Sequence, residues 1–122
     1  WIPIFMKNHG IFPFLKFHEW VEKNGRAEMI TFIPKNNNIM WAPCIWDEWI
    51  SDDGTIKFKS FALLTDDPPP EVQEMGHDRC PIFLKEEYID DWLSPADKSK
   101  EEMYSILKAT EEERFGYQWR SA

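Results

Sequence analysis

A chain of 122 residues, 43% apolar and 16% aromatic with a formal net charge of −8, has the makings of one folded domain. Its 7 Trp and 9 Phe exclude an acidic disordered tail, which would be poor in aromatics. The charge argues against a general nucleic-acid binder, whose affinity rests on basic groups displacing counterions from phosphates, but residues 1–50 balance five basic side chains against five acidic ones and leave the acidic excess to residues 51–122, which keeps a local DNA-facing surface on the first half open.

No apolar run approaches the roughly 20 residues that span a bilayer, and no basic start leads into an apolar stretch with a cleavage site. The expectation is a cytoplasmic protein, neither secreted nor membrane-bound. Cys44 and Cys80 stand far apart with no CxxC pair or adjacent His, which suggests reduced thiols and no zinc site. Trp1 is not an initiator Met, so the chain is expected to be part of a longer protein, truncated at the N-terminus and possibly at the C-terminus.

In chain order, Pro3 and Pro13 deny the opening a helix interior, and Ile11–Trp20 reads mainly as strand. Glu22-Lys23-Asn24-Gly25 predicts a hairpin into a strand over Glu28–Ile33 that packs on both faces. Asn36-Asn37-Asn38 makes the next turn, Ile39–Trp49 the next strand, and Ser51-Asp52-Asp53-Gly54 the turn after it. Lys57–Thr65 is a further strand whose Phe61-Ala62-Leu63-Leu64 run suggests burial on both faces. Asp66-Asp67-Pro68-Pro69-Pro70 ends it, three prolines being unable to join a ladder or a helix. A polar connection leads to a short buried strand over Cys80–Leu84. Tyr88, Ile89, Trp92 and Leu93 then fall at helical spacing and stop at Ser94-Pro95. The last helix starts at Ser99, where Ser99-x-x-Glu102 is a capping-box pattern and Met103, Ile106, Leu107 and Thr110 form the inner stripe. Short connections make the strands consecutive and antiparallel, giving an α+β domain over 1–122 with a few peripheral helices.

Two segments carry candidate chemistry. His18-Glu19-Trp20 ends an apolar strand with a carboxyl beside an aromatic able to exclude water and tune it for proton transfer, the bland alternative being a solvated strand-end Glu. Gly76-His77-Asp78-Arg79-Cys80-Pro81 sets an imidazole, a carboxylate and a guanidinium before a buried strand, the alternative being an Asp78–Arg79 turn brace with His77 exposed. Trp41, Trp46 and Trp49 with Asp47-Glu48 fit a base-stacking platform, although core packing suits Trp41 and Trp46 better. Cys44 reads as a packed thiol rather than a nucleophile paired with His77, and Glu111-Glu112-Glu113 as a solvated helix end.

The ordered set Phe12-Pro13, Phe17-His18-Glu19-Trp20, Trp46-Asp47-Glu48-Trp49, Ser60-Phe61-Ala62-Leu63-Leu64-Thr65, His77-Asp78-Arg79-Cys80-Pro81-Ile82-Phe83-Leu84 and Trp92-Leu93-Ser94-Pro95 resembles the SOS-response-associated peptidase (SRAP) family. The resemblance runs from about Pro13 to Pro95, the middle and later part of the family domain, and implies a barrel-like, predominantly antiparallel sheet. It implies recognition of abasic sites in single-stranded DNA, where an N-terminal cysteine captures the opened sugar aldehyde as a thiazolidine and so forms a DNA–protein crosslink, with removal of the protein's own first residue as the peptidase step. Glu19 and His77 match the family's catalytic Glu and His by motif position, and Arg79 and Trp20 are the residues expected to hold or orient DNA. No metal or cofactor is implied.

The sequence also departs from the family pattern. The Met-Cys-Gly-Arg-like start and the Asn-Ala-Arg-like segment are absent, His18 replaces an aromatic, Pro43-Cys44 falls where small residues are favoured, and the stretch before Pro13 lacks an Arg-Cys pair. The crosslinking nucleophile is therefore missing from this chain. The alternative reading is a degenerate SRAP-like scaffold, a non-catalytic interaction module whose acidic C-terminal half meets a basic protein partner.

Overall fold

Asn24 and Gly25 both adopt positive φ, 54° and 77°, the pairing that a two-residue hairpin turn of the primed type demands. They join β2 (Phe17–Lys23) to β3 (Arg26–Pro34), with Lys23 opposite Arg26 and Phe17 opposite Phe32. The computed structural model describes residues 4–35, 38–68, 70–76, 79–109 and 115–119. Its other strands are β1 (His9–Phe14), β4 (Met40–Ile50), β5 (Lys57–Leu63), β6 (Thr65–Asp66), β7 (Cys80–Pro81) and β8 (Phe115–Trp119). The helices are α1 (Pro70–Gln73), α2 (Ile89–Trp92) and α3 (Lys100–Lys108).

Antiparallel strands with a few helices agree with the α+β expectation. The barrel-like closure is not confirmed: among the described residues the strands form two three-stranded sheets, β1-β4-β5 and β2-β3-β8, with a β6-β7 ribbon, and no closed barrel. The predicted Ile11–Trp20 strand breaks at Leu15-Lys16, and its halves enter different sheets. Pro13 is tolerated because β1 is, among the described residues, an edge strand of its sheet.

Side chains alternate across each sheet, and three layers follow. Phe14 and Met40 on one side of the first sheet meet Phe17, Val21, Ile30 and Phe32 of the second in one apolar cluster, joined by Val72, Cys80, Phe83 and Phe115. On the other side of the first sheet, Ile11, Ile45 and Ala62 lie under Trp92, Met103, Ile106 and Leu107 of α2 and α3. The capping box forms as the sequence predicts, with the Ser99 hydroxyl accepting from Glu102 N–H at 3.1 Å and the Glu102 carboxylate from Ser99 N–H at 3.4 Å. Met103, Ile106 and Leu107 face inward, while Thr110 and Glu111-Glu112-Glu113 lie outside the described residues.

The first sheet is pinned to α2 by polar contacts that the sequence did not announce. The ring nitrogens of His9 reach the backbone carbonyls of Trp92, at 2.6 Å, and of Phe5, and the imidazole stacks on the Trp92 ring at 3.8 Å. Trp92 Nε1–H donates to the Gly10 carbonyl at 2.8 Å. A Cβ on Gly10 would lie 2.9 Å from Cys44 Sγ, closer than real side chains come, so this position accepts no side chain without movement.

Several expectations change. Pro70 begins α1; a proline lacks only an N–H that the first helical turn leaves unsatisfied anyway. Phe61 is exposed on β5 rather than buried. Of the predicted Cys80–Leu84 strand only Cys80–Pro81 pairs as a ribbon, although Ile82, Phe83 and Leu84 are buried. Backbone bonds from Ile82 N–H to Leu64 and from Leu84 N–H to Trp41 carry it onward. Trp41 and Trp46 are half-buried and Trp49 exposed, and β8 forms a strand where none was expected.

In the β4–β5 turn the Asp53 carboxylate accepts from Ser51 Oγ–H (2.6 Å), Thr55 N–H (3.0 Å) and Thr55 Oγ–H (2.7 Å). These bonds, that from Ser51 foremost, lower its pKa from 3.8 to about 2. A carboxyl depressed on folding adds stability that is present above its unfolded pKa and is lost as pH falls through the folded one. NMR titration should find Asp53 ionised at pH 3, with the turn's amide shifts moving only as pH approaches 2; a midpoint near 4 would deny these bonds.

Candidate functional site

Glu19 sits in the middle of β2, which hairpin chemistry at one end and Phe17 at the other hold in register. Phe17 stacks on Phe32 (ring centroids 5.0 Å) and meets Phe83 and Phe115. Along β2 exposure alternates, with Phe17, Glu19, Val21 and Lys23 on the side of the apolar cluster and His18, Trp20 and Glu22 on the outer side. Glu19 therefore stands half-buried between Phe17 and Val21 and directly opposite Ile30, which is 0% exposed.

Trp20 is not beside it. The indole lies on the opposite face of the sheet, 60% exposed and paired with Met29, so the expected shielding of Glu19 by Trp20 is corrected. Phe17 and Val21 are the apolar neighbours on its own face. On the outer side His18 Nδ1 is hydrogen-bonded with Thr31 Oγ at 2.7 Å, next to Trp20 along the strand. Among the described residues β2 is an edge of its sheet.

The segment that carries the second motif comes to the same side. Val72 and Met75 enter the cluster that Val21 lines. Gly76, at φ 94°, lies beside Val21, where a Cβ on residue 76 would be in ordinary contact at 3.9 Å from Val21 Cβ. His77 and Asp78 lie outside the described residues. The chain on their far side is anchored by Cys80, which is buried in the same cluster and paired with Asp66.

Arg79 is held by a residue that the motif reading did not single out. Its Nη2–H donates to the Thr65 carbonyl (2.8 Å) and to Thr65 Oγ (3.1 Å), and its Nε–H to Thr65 Oγ (3.3 Å). Nη1 is 3.8 Å from Asp67. Both partners of that ion pair are exposed, so it adds little to stability. The signal for Thr65 was present, a polar Thr-Asp-Asp stretch closing a strand, but nothing local said that Arg79 would return to it.

Cys44 is buried against Gly10, and burial pushes its thiol pKa above 9.0 despite a hydrogen bond with the Gly10 backbone. A thiol so disfavoured as thiolate is a poor nucleophile, in keeping with its reading as a packed residue. Among the described residues no group of three or more His, Cys, Asp or Glu is placed to hold a metal ion, and no helix is long and apolar enough to cross a membrane.

The family model described as SOS response associated peptidase (SRAP) matches residues 1–119. The chain is similar to abasic site processing protein YoqW of Bacillus subtilis, 25% identical over 99 residues, covering 80% of this chain and 43% of YoqW. It is 26% identical over 110 residues to abasic site processing protein YobE of the same organism, covering 86% of this chain and 49% of YobE. In fold it is similar to a Bacteroides thetaiotaomicron protein (TM-score 0.79, 24% identity, 96% of this chain and 51% of that one). A Bordetella bronchiseptica protein also matches (TM-score 0.76, 18% identity, 99% of this chain and 59% of that one). The chain spans about half the length of the curated relatives it matches.

Proposed function

This chain belongs to the SOS response associated peptidase (SRAP) family, and from that premise we propose that the protein containing it captures abasic sites in single-stranded DNA in the cytoplasm as part of the response to DNA damage. The observation that carries the reading is Glu19, a carboxyl on the core side of an edge strand, with the residue before His77 seated against the neighbouring Val21. The similar proteins named as abasic site processing proteins give the substrate class.

Capture begins when the ring-opened sugar presents its aldehyde to the α-amine of an N-terminal cysteine. The amine adds to the carbonyl carbon, the carbinolamine leaves as an imine with loss of water, and the thiol adds across the imine to close a thiazolidine. Protons move at the ring oxygen, at the departing hydroxyl and at the nitrogen, and a carboxyl and an imidazole placed around one sugar carbon supply and accept them. Glu19 serves the amine and the departing water, and His77 the opening of the sugar. Trp20, on the outer face of the same edge strand, offers an exposed indole for a neighbouring base, and Arg79 a guanidinium for a phosphate. The cysteine is not in this sequence.

The overall charge and the engagement of Arg79 by Thr65 and Asp67 favour a second reading, a scaffold that has lost DNA chemistry and binds a basic protein. One experiment separates the two. The complete gene product is incubated with single-stranded DNA carrying one abasic site and run on a denaturing gel. A surviving protein–DNA band, lost when the second-codon cysteine is replaced, is the expected result; no band from folded protein sinks the capture reading in favour of the scaffold.

A further inference from the structure

His9 is buried at the start of β1, and both of its ring nitrogens face backbone oxygens: Nδ1 the Trp92 carbonyl at 2.6 Å, and Nε2 the Phe5 carbonyl. A carbonyl only accepts, so each bond needs a proton on the nitrogen, and a neutral imidazole has one proton for its two nitrogens. In the neutral ring one nitrogen lone pair would point at a carbonyl oxygen. The imidazolium alone satisfies both bonds. No other donor among the described residues is bonded to either carbonyl: Trp92 closes α2, and the neighbouring turn bonds from Lys7 and Asn8 go to Ile4 instead. The ring also lies on the Trp92 indole, centroids 3.8 Å and planes 14° apart, where the face of an aromatic ring stabilises a cation.

We propose that His9 is a proton-operated latch: doubly protonated, it ties residues 4–7 and the end of α2 to β1, and loss of one proton lets residues 4–7 go. Trp92 does not depend on the bond, being 0% exposed and holding the Gly10 carbonyl through its Nε1–H at 2.8 Å. Residues 4–7 are held less firmly. Ile4, Phe5 and Met6 are half-buried, the N–H bonds of Lys7 and Asn8 to the Ile4 carbonyl lie within the turn itself, and Phe5 stacks on an exposed ring, that of Tyr104, at 5.4 Å. No carboxylate among the described residues stands within ion-pair distance of His9 to hold its charge. Lys7 beside it is exposed, as are Asp90 and Asp91 of α2, the latter 3.6 Å from Lys98; β4 sets Ile45 opposite His9, and α3 contributes Tyr104. The latched state binds one proton more than the open one, so low pH closes it and rising pH opens it. The latch owes nothing to the proposed sugar chemistry.

The test follows the complete protein by NMR from about pH 5 to about pH 8.5, a span that brackets histidine titration. At the acid end both ring N–H protons of His9 should appear as slowly exchanging signals. Across the span the hydrogen-exchange protection factors of the Lys7 and Asn8 amides, which are already corrected for the intrinsic effect of pH, should fall by roughly tenfold or more, the scale of one lost charge-assisted bond. That of Met103 in α3, bonded to the Ser99 carbonyl, should hold. His9→Gln, which has no titrating proton, should make protection of the two amides independent of pH. A ring with only one protonated nitrogen at the acid end overturns the latch, and so does level protection of Lys7 and Asn8 across the span, whether or not the variant folds. An unchanged pH dependence in folded H9Q overturns it as well.

Discussion

Trp92→Ala is expected to cost about 3–5 kcal/mol, the range for emptying a buried aromatic site, and against a total stability of roughly 5–15 kcal/mol it should leave the chain unfolded or nearly so at 37 °C. Trp92 is 0% exposed and is the centre of the cluster between the first sheet and α2 and α3. Its loss opens a void in the cluster that holds Ile45, Leu84 and Met103, withdraws an N–H bonded to the Gly10 carbonyl, and strips His9 of its stacked partner. Trp92→Phe separates these contributions: it restores most of the ring but not the donor, so the penalty should fall to about 1–3 kcal/mol, that of one lost hydrogen bond to the half-buried Gly10 carbonyl with a smaller cavity. Leu93→Ala, one residue on but 41% exposed, sets the baseline with an effect of about 0.5 kcal/mol. Urea unfolding of the three variants decides it; equal midpoints for the alanine variants would mean that the helices do not depend on Trp92.

What the sequence disclosed divides along the range of the interactions. The β2–β3 hairpin and the start of α3 were legible because their determinants are adjacent residues, Asn24-Gly25 and Ser99-x-x-Glu102, whose backbone requirements admit few alternatives. The pairing of β1 with β4 across the intervening hairpin, and of β3 with β8 from the far end of the chain, depends on which apolar faces meet in three dimensions. No local pattern encodes that choice, and the barrel expectation came from the family resemblance alone. Gly10 and Cys44 make the same point at the level of one contact. Cys44 counts in the sequence as a departure from the family pattern and Gly10 carries no signal at all, yet the two depend on each other, because the sulfur occupies the space where a Cβ on residue 10 would be. At the candidate site, period-two alternation already implies that Glu19 and Trp20 face opposite ways. The motif's compactness obscured this, since neighbours in sequence look like neighbours in space.

That separation of faces gives Glu19→Gln a specific signature in the complete protein. The amide matches the carboxylate in shape between Phe17 and Val21, so the fold and the thermal midpoint should hold, and the outer face with Trp20 should be unchanged. What the amide lacks is a titrating proton. If Glu19 moves protons during imine formation, the rate of crosslinking to an abasic site should drop by about 10²–10⁴-fold, the usual contribution of a positioned acid or base, with the dissociation constant for an intact strand unchanged. A fall in affinity with an unaltered rate at saturation would instead make Glu19 a DNA contact. Unaltered rate and affinity together would remove it from the mechanism. The rate measured at saturating DNA is therefore the decisive quantity, because substrate affinity and protein stability report on the two faces and the core, and only the chemical step reports on the proton.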